Sequence, residues 1–130
     1  MLQISNDNIL TMTRGDAEKF ALHIFYGIYD KLTNIPYVPN RFDKVFFAIM
    51  EPNQSFEHAI VRKVYDASEA IDIKNGKLWI ELDGVDTEFL MPGDYYYCVK
   101  LLKKNAWKKT EDYEGRPETI IQKTKLTIVD

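Results

Sequence analysis

DTEFLMPGDYYYCVKLLK, residues 86–103, is the stretch that decides the fold. A turn signal at Met91-Pro92-Gly93-Asp94 runs directly into alternating large residues. Tyr95, Tyr97, Val99 and Leu101 fall on one face of a strand, and Tyr96, Cys98, Lys100 and Leu102 on the other. A strand with residues this large on both faces belongs inside a sheet rather than at its edge.

Upstream, Lys77 to Leu82 alternates Leu78, Ile80 and Leu82 with Lys77, Trp79 and Glu81, and Asn75-Gly76 before it is a hairpin signal because both residues tolerate positive φ. Asp43 to Met50 is a dense apolar run, short and bounded by Asp43 and Pro52, and is expected as a central strand. Ser55 to Tyr65 is expected as a further strand, with Phe56, Ala59, Val61 and Val64 facing the core and a bulge near His58. Asp66 to Ile73 admits one turn of helix starting at Asp66 or Ser68.

Nearer the N-terminus, Ala17 to Phe25 sets Phe20, Leu22 and Ile24 against Lys19, Ala21 and His23, a strand with one buried face. Ile4 and Ile9 to Thr13 read as one first strand split by a Ser-Asn-Asp-Asn turn. Gly27 to Asn40 has no sustained period and reads as a long connection. Beyond the Tyr-rich strand, Asn105 to Pro117 is a polar loop carrying Trp107 and Tyr113. Thr119 to Val129 is the closing strand, Ile121, Lys123, Lys125, Thr127 and Val129 alternating with Ile120, Gln122, Thr124, Leu126 and Ile128.

The sum is about seven or eight short strands with no helical period, which predicts an all-β, antiparallel two-sheet β-sandwich of immunoglobulin-like type. In such sandwiches a tyrosine at the mouth of the penultimate strand ties the preceding corner to nearby backbone. Gly93, Tyr95 and Tyr97 are the corner residues expected here, Tyr95 carrying the hydroxyl contact with Tyr96 as second choice.

With 130 residues the chain is read as a single domain, residues 1–130, long enough to bury roughly two-thirds of its unfolded surface. Hydrophobic residues make up 45%, with eight Tyr and seven Phe, a composition that suits a β-rich globule. Its 17 basic and 20 acidic residues are spread along the chain with no polybasic block, which disfavours nucleic acid as a partner. The N-terminus lacks the apolar run of a signal peptide, and no 18 uncharged apolar residues follow one another. A soluble product made in the cytoplasm, with no membrane partner, is expected.

Catalytic or metal-binding constellations are not visible. His23 and His58 stand alone, the glycines occur singly in turns, and Cys98 is the one cysteine, expected as a buried thiol. Asp83 and Asp86, or Glu111 and Asp112, are acid pairs that could share a proton or hold a hard cation, but their setting is that of turn acids. Arg14-Gly15-Asp16 matches an integrin-read adhesion signal and equally a tight turn between strands, and the turn is the expected reading. Trp79, Trp107, Tyr113 and the tyrosine triplet could form a platform for sugar rings. Trp79 lies inside a strand, however, so Trp107 and Tyr113 are the expected partner-binding anchors. No enzyme activity and no cofactor are expected.

Four stretches together, TMTRGDAEKFALHIF (11–25), FDKVFFAIMEP (42–52), DTEFLMPGDYYYCVKLL (86–102) and ETIIQKTKLTIVD (118–130), resemble the N-terminal immunoglobulin-like domain of baseplate upper proteins from phages and prophages of Gram-positive bacteria. The resemblance rests on an RGD-type turn before the second strand, on Asp43, Val45 and Phe47 in the third, and on Gly93, Tyr95 and Tyr97 after the corner. It implies a virion protein of the tail or baseplate, made in the bacterial host cytoplasm, that docks other virion proteins and assembles with itself or with a ring-forming partner. Members of that family carry a longer C-terminal region, whereas this chain stops at Asp130 after its last strand, so a small stand-alone component is expected. Its contact elements would be exposed edge strands, the first and the last, and the 105–117 loop. The alternative function is a carbohydrate-binding β-sandwich module.

Overall fold

The computed structural model describes residues 2–24, 36–103 and 118–130. Among these lie nine strands and two single-turn helices. In chain order they are β1 (Leu2–Ile4), β2 (Leu10–Thr13), β3 (Glu18–His23), β4 (Lys44–Met50), β5 (Val61–Asp66), α1 (Ala67–Ala70), β6 (Ile71–Asp72), β7 (Lys77–Leu82), α2 (Gly84–Thr87), β8 (Gly93–Leu102) and β9 (Glu118–Val129). They form a curled six-stranded sheet in the order β1-β2-β9-β8-β4-β5 and a three-stranded sheet in the order β3-β7-β6. The chain is thus all-β in two sheets, as expected.

The core lies between the sheets because each strand's apolar period of two points inward. Phe20 and Leu22 of β3 and Leu78, Ile80 and Leu82 of β7 share one buried cluster with Val45, Phe47 and Ile49 of β4 and Tyr97, Val99 and Leu101 of β8. Phe47 joins the layers. It stacks on Tyr97 at 5.3 Å within its own sheet and meets Phe20 of the other sheet edge-on at 6.3 Å. Burying each such side chain is worth about 1.5–3 kcal/mol.

Five expectations change. The split first strand is a hairpin, β1 pairing antiparallel with β2, because Ser5 Oγ accepts the amides of Asp7 and Ile9 and Asn8 takes φ 64°, reversing the chain. The sheets are not wholly antiparallel: β2 runs parallel to β9, from Leu10 opposite Leu126 to Thr13 opposite Val129. Short links dictate direction only for sequence neighbours, and these two strands come from opposite ends of the chain. Residues Phe56–His58 wind into a 3-10 turn, so β5 starts only at Val61 and Val64 points outward. Register shifts opposite Tyr97–Lys100 move β9 across its pleat, so that Ile121, Leu126 and Ile128 are all buried despite their unequal parity. Finally, β9 lies between β2 and β8, so the last strand is not an edge; the larger sheet ends at β1 and β5.

One buried polar residue ties the layers together. The Asn8 side chain accepts the His23 amide and donates to the His23 carbonyl, both at 2.8 Å, pairing with β3 as a neighbouring strand would. Its own carbonyl accepts the hydroxyl of buried Tyr97, whose phenol burial holds well above the usual tyrosine range.

Candidate functional site

Two surfaces stand out, one at the corner before β8 and one on the flank between β5 and β7. The corner is built by mutual bracing. The Asp86 carboxylate accepts the Asp83 amide at 2.7 Å, and the Lys63 ammonium reaches Asp86 at 2.9 Å and Asp83 at 3.6 Å. The hydrogen bond to Asp86, more than the surrounding charge, raises the Lys63 pKa. These acids therefore serve a helix start and one cation rather than a shared proton. Tyr95 donates its hydroxyl to the Met91 carbonyl at 2.7 Å, and Gly93 between them has φ 151°.

The Arg14-Gly15-Asp16 turn docks on this corner. Gly15, at φ 80°, donates its amide to Thr87 Oγ1 at 3.0 Å, and a Cβ placed on Gly84 would come within 2.5 Å of the Gly15 carbonyl. Arg14 pairs with Asp130 at 2.7 Å. The tripeptide is a packed turn whose arginine is engaged within the chain, which is the turn reading of that motif.

On this braced backbone Val85, Phe89 and Met91 are 65%, 60% and 75% exposed. Val85 and Phe89 are four apart along a helical path that Glu88 continues, so they share a side. Neither entered the sequence-based site. The available signal was three large apolar residues inside a turn-rich stretch that no strand period claims.

The flank is defined by where strands stop. β6 pairs with β7 only through Ile71 opposite Leu78 and Asp72 opposite Lys77, so among the described residues β7 from Trp79 onward has no strand partner on that side. Among the described residues β5 has β4 as its only strand neighbour. Between the two edges lies a groove of about 650 Å³, lined by Val64, Tyr65 and Asp66 of β5 and Trp79, Ile80 and Glu81 of β7. Glu69 and Ala70 of α1 and Lys19 of β3 complete it. Tyr65 donates its hydroxyl to the Glu81 carbonyl. Burial pushes that phenol up to about 12, and the carboxylates of Asp86, Glu81 and Asp83 add to the effect. The Lys19 ammonium sits 5.8 Å from the centre of the Trp79 ring, which is 38% exposed.

Trp107 and Tyr113, with the 105–117 loop, lie outside the described residues. Gly93, Tyr95 and Tyr97 come together around the corner strand, Tyr95 at its exposed mouth and Tyr97 in the core. His58 Nδ1 meets Ser55 Oγ at 2.9 Å at the 3-10 turn, far along the chain from His23. Cys98 is buried, and burial raises its thiol pKa. Among the described residues no cluster of three or more His, Cys, Asp or Glu is placed to hold a metal, and no helix is long and apolar enough to cross a membrane. No family model, curated protein or solved structure matches the chain.

Proposed function

We propose that the protein is a non-enzymatic docking module of a phage or prophage tail, an immunoglobulin-like sandwich that binds other virion proteins. Support for the fold assignment comes from strand order. The run β9-β8-β4-β5 facing β3-β7-β6 follows the layout of a variable-type sandwich, and Tyr95 bonds four residues back at the mouth of the penultimate strand. Support for a virion role comes from the four sequence stretches that resemble baseplate upper proteins.

The observation that carries docking is the exposed trio Val85, Phe89 and Met91 on a corner held from several sides. Large apolar side chains displayed on a rigid frame mark a protein contact. Asp83 and Asp94 beside it are answered by Lys63 and Lys125, so the apolar side chains carry the contact.

The test begins with the neighbouring genes. Genes for tape-measure, tail-fibre, holin or lysin proteins beside this one are expected, as is co-elution with one of their products that is lost in Phe89→Asp/Met91→Asp. Neighbours encoding glycoside hydrolases or sugar transporters would defeat the virion reading. The carbohydrate-binding alternative is favoured by one observation, the exposed Trp79 ring beside carboxylates in the groove, and glycan binding abolished by Trp79→Ala would establish it.

A further inference from the structure

We propose that the groove between β5 and β7 takes an extended, basic segment of a partner protein, added as a strand along the free edge of β5. This goes beyond the docking role of the corner, and it does not depend on the partner being a virion protein.

Main-chain geometry supplies the first argument. The Ala67 amide donates to the Asp43 carbonyl at 3.0 Å, and in the β4–β5 register this makes Tyr65 and Lys63 the residues bonded to β4. Alternation then turns the main-chain groups of Arg62 and Val64 away from β4, toward the side where no strand lies among the described residues. The Val64 side chain, on the outer face of the sheet, is 52% exposed. An incoming strand satisfies such groups, and the short β6 leaves the room that a longer strand would have filled.

Charge supplies the second. Asp66, Glu69 and Glu81 line the groove against Lys19 alone, and Asp83 and Asp86 lie close enough to raise the Tyr65 pKa against the single Lys63. Asp66 is answered by Lys44, which leaves an excess of carboxylates along the slot. Trp79 contributes a ring that already faces one ammonium group. An arginine or lysine of the added strand would meet Glu69 and Glu81 while its stem covers the indole. Apolar residues alternating with those cations would fall on the opposite face, beside the exposed Val64, because side chains of a strand alternate between faces.

The test uses the full chain and fluorescence anisotropy with three labelled hexapeptides. One alternates valine and arginine, one alternates valine and glutamate, and the third is the first with alternate main-chain amides N-methylated. The valine–arginine peptide is expected to bind about tenfold or more tightly than either of the others. Glu69→Lys and Glu81→Gln are each expected to weaken it about three- to tenfold, with the melting temperature essentially unchanged because both side chains are exposed. Equal binding of the methylated peptide would overturn strand addition, and indifference to peptide charge or to both variants would overturn the assignment to this groove. Failure of the valine–arginine peptide to bind by about 1 mM would overturn the proposal outright. So would a glycan-array signal lost in Trp79→Ala without peptide binding, since the groove would then be a sugar site. None of these outcomes bears on the corner, so the loss of this proposal leaves the docking of Phe89 and Met91 to be judged separately.

Discussion

The corner and the flank of this two-sheet fold treat unpaired backbone in opposite ways. At the corner, polar groups find partners both across the chain and within the turn: Thr87 takes the Gly15 amide, Asp86 the Asp83 amide and the Met91 carbonyl the Tyr95 hydroxyl. On the flank, β6 stops after two residues and two strand edges face an open slot. A braced end can display apolar side chains without losing its shape, and an open flank can display main chain. The lesson is that recognition by side chain and recognition by backbone need different kinds of local order.

The most severe break in this comparison is Gly84→Ala. Its Cβ would collide with the Gly15 carbonyl, so we expect a loss of about 2–3 kcal/mol in urea unfolding, with the flank's groove retained in spectra of the folded state. Next comes Tyr65→Phe, which removes the hydroxyl closing the floor of the slot to Glu81 and should cost about 1 kcal/mol at neutral pH. The same substitution alters alkaline unfolding. A phenol raised from 10.0 to about 12 in the folded chain stabilises fully below pH 10, and that contribution fades as pH climbs toward 12. Lys63, also raised, acts in the same direction. The wild-type urea midpoint should therefore fall between pH 10 and about 12, the window set by those values, more steeply than that of Tyr65→Phe. An identical slope would mean that Tyr65 is not shielded.

Tyr95→Phe is a gentler cut at the corner, with an expected loss of about 0.5–1 kcal/mol because its hydroxyl bond to Met91 is near solvent. Smallest is the pair Phe89→Ser and Met91→Ser. Each should change stability by less than about 0.5 kcal/mol in thermal or urea melts while abolishing co-elution with a docking partner. A large stability loss instead would place these side chains in the fold rather than on its working surface.

Much of the scaffold could be read along the chain. The two faces of Tyr95–Leu102, the buried Leu78, Ile80 and Leu82, and the helical turn after Asp66 follow from period and local composition, although Asp66 makes no side-chain cap bond. The candidate surfaces were far less legible. Val85, Phe89 and Met91 occupy the same sequence pattern whether a turn tucks them in or holds them out, and the choice lies in how the corner packs, including Gly15 against Gly84. Val64 was expected in the core because the Ser55–Tyr65 run looks continuous. The 3-10 turn at Phe56–His58 breaks that run and places its ring between Arg62 and Lys100, each 4.6 Å away, on the outer face of the sheet.

By itself the sequence determined where strands lie and which of their faces are apolar, since those follow from neighbours one, two and three residues away. The tertiary structure alone decided that β2 runs parallel to β9, that β9 is shielded while β5 is an edge, and that β6 ends early enough to leave a groove. Pairing direction, edge position and the space left beside a strand depend on groups far apart in the chain, and no local period encodes them.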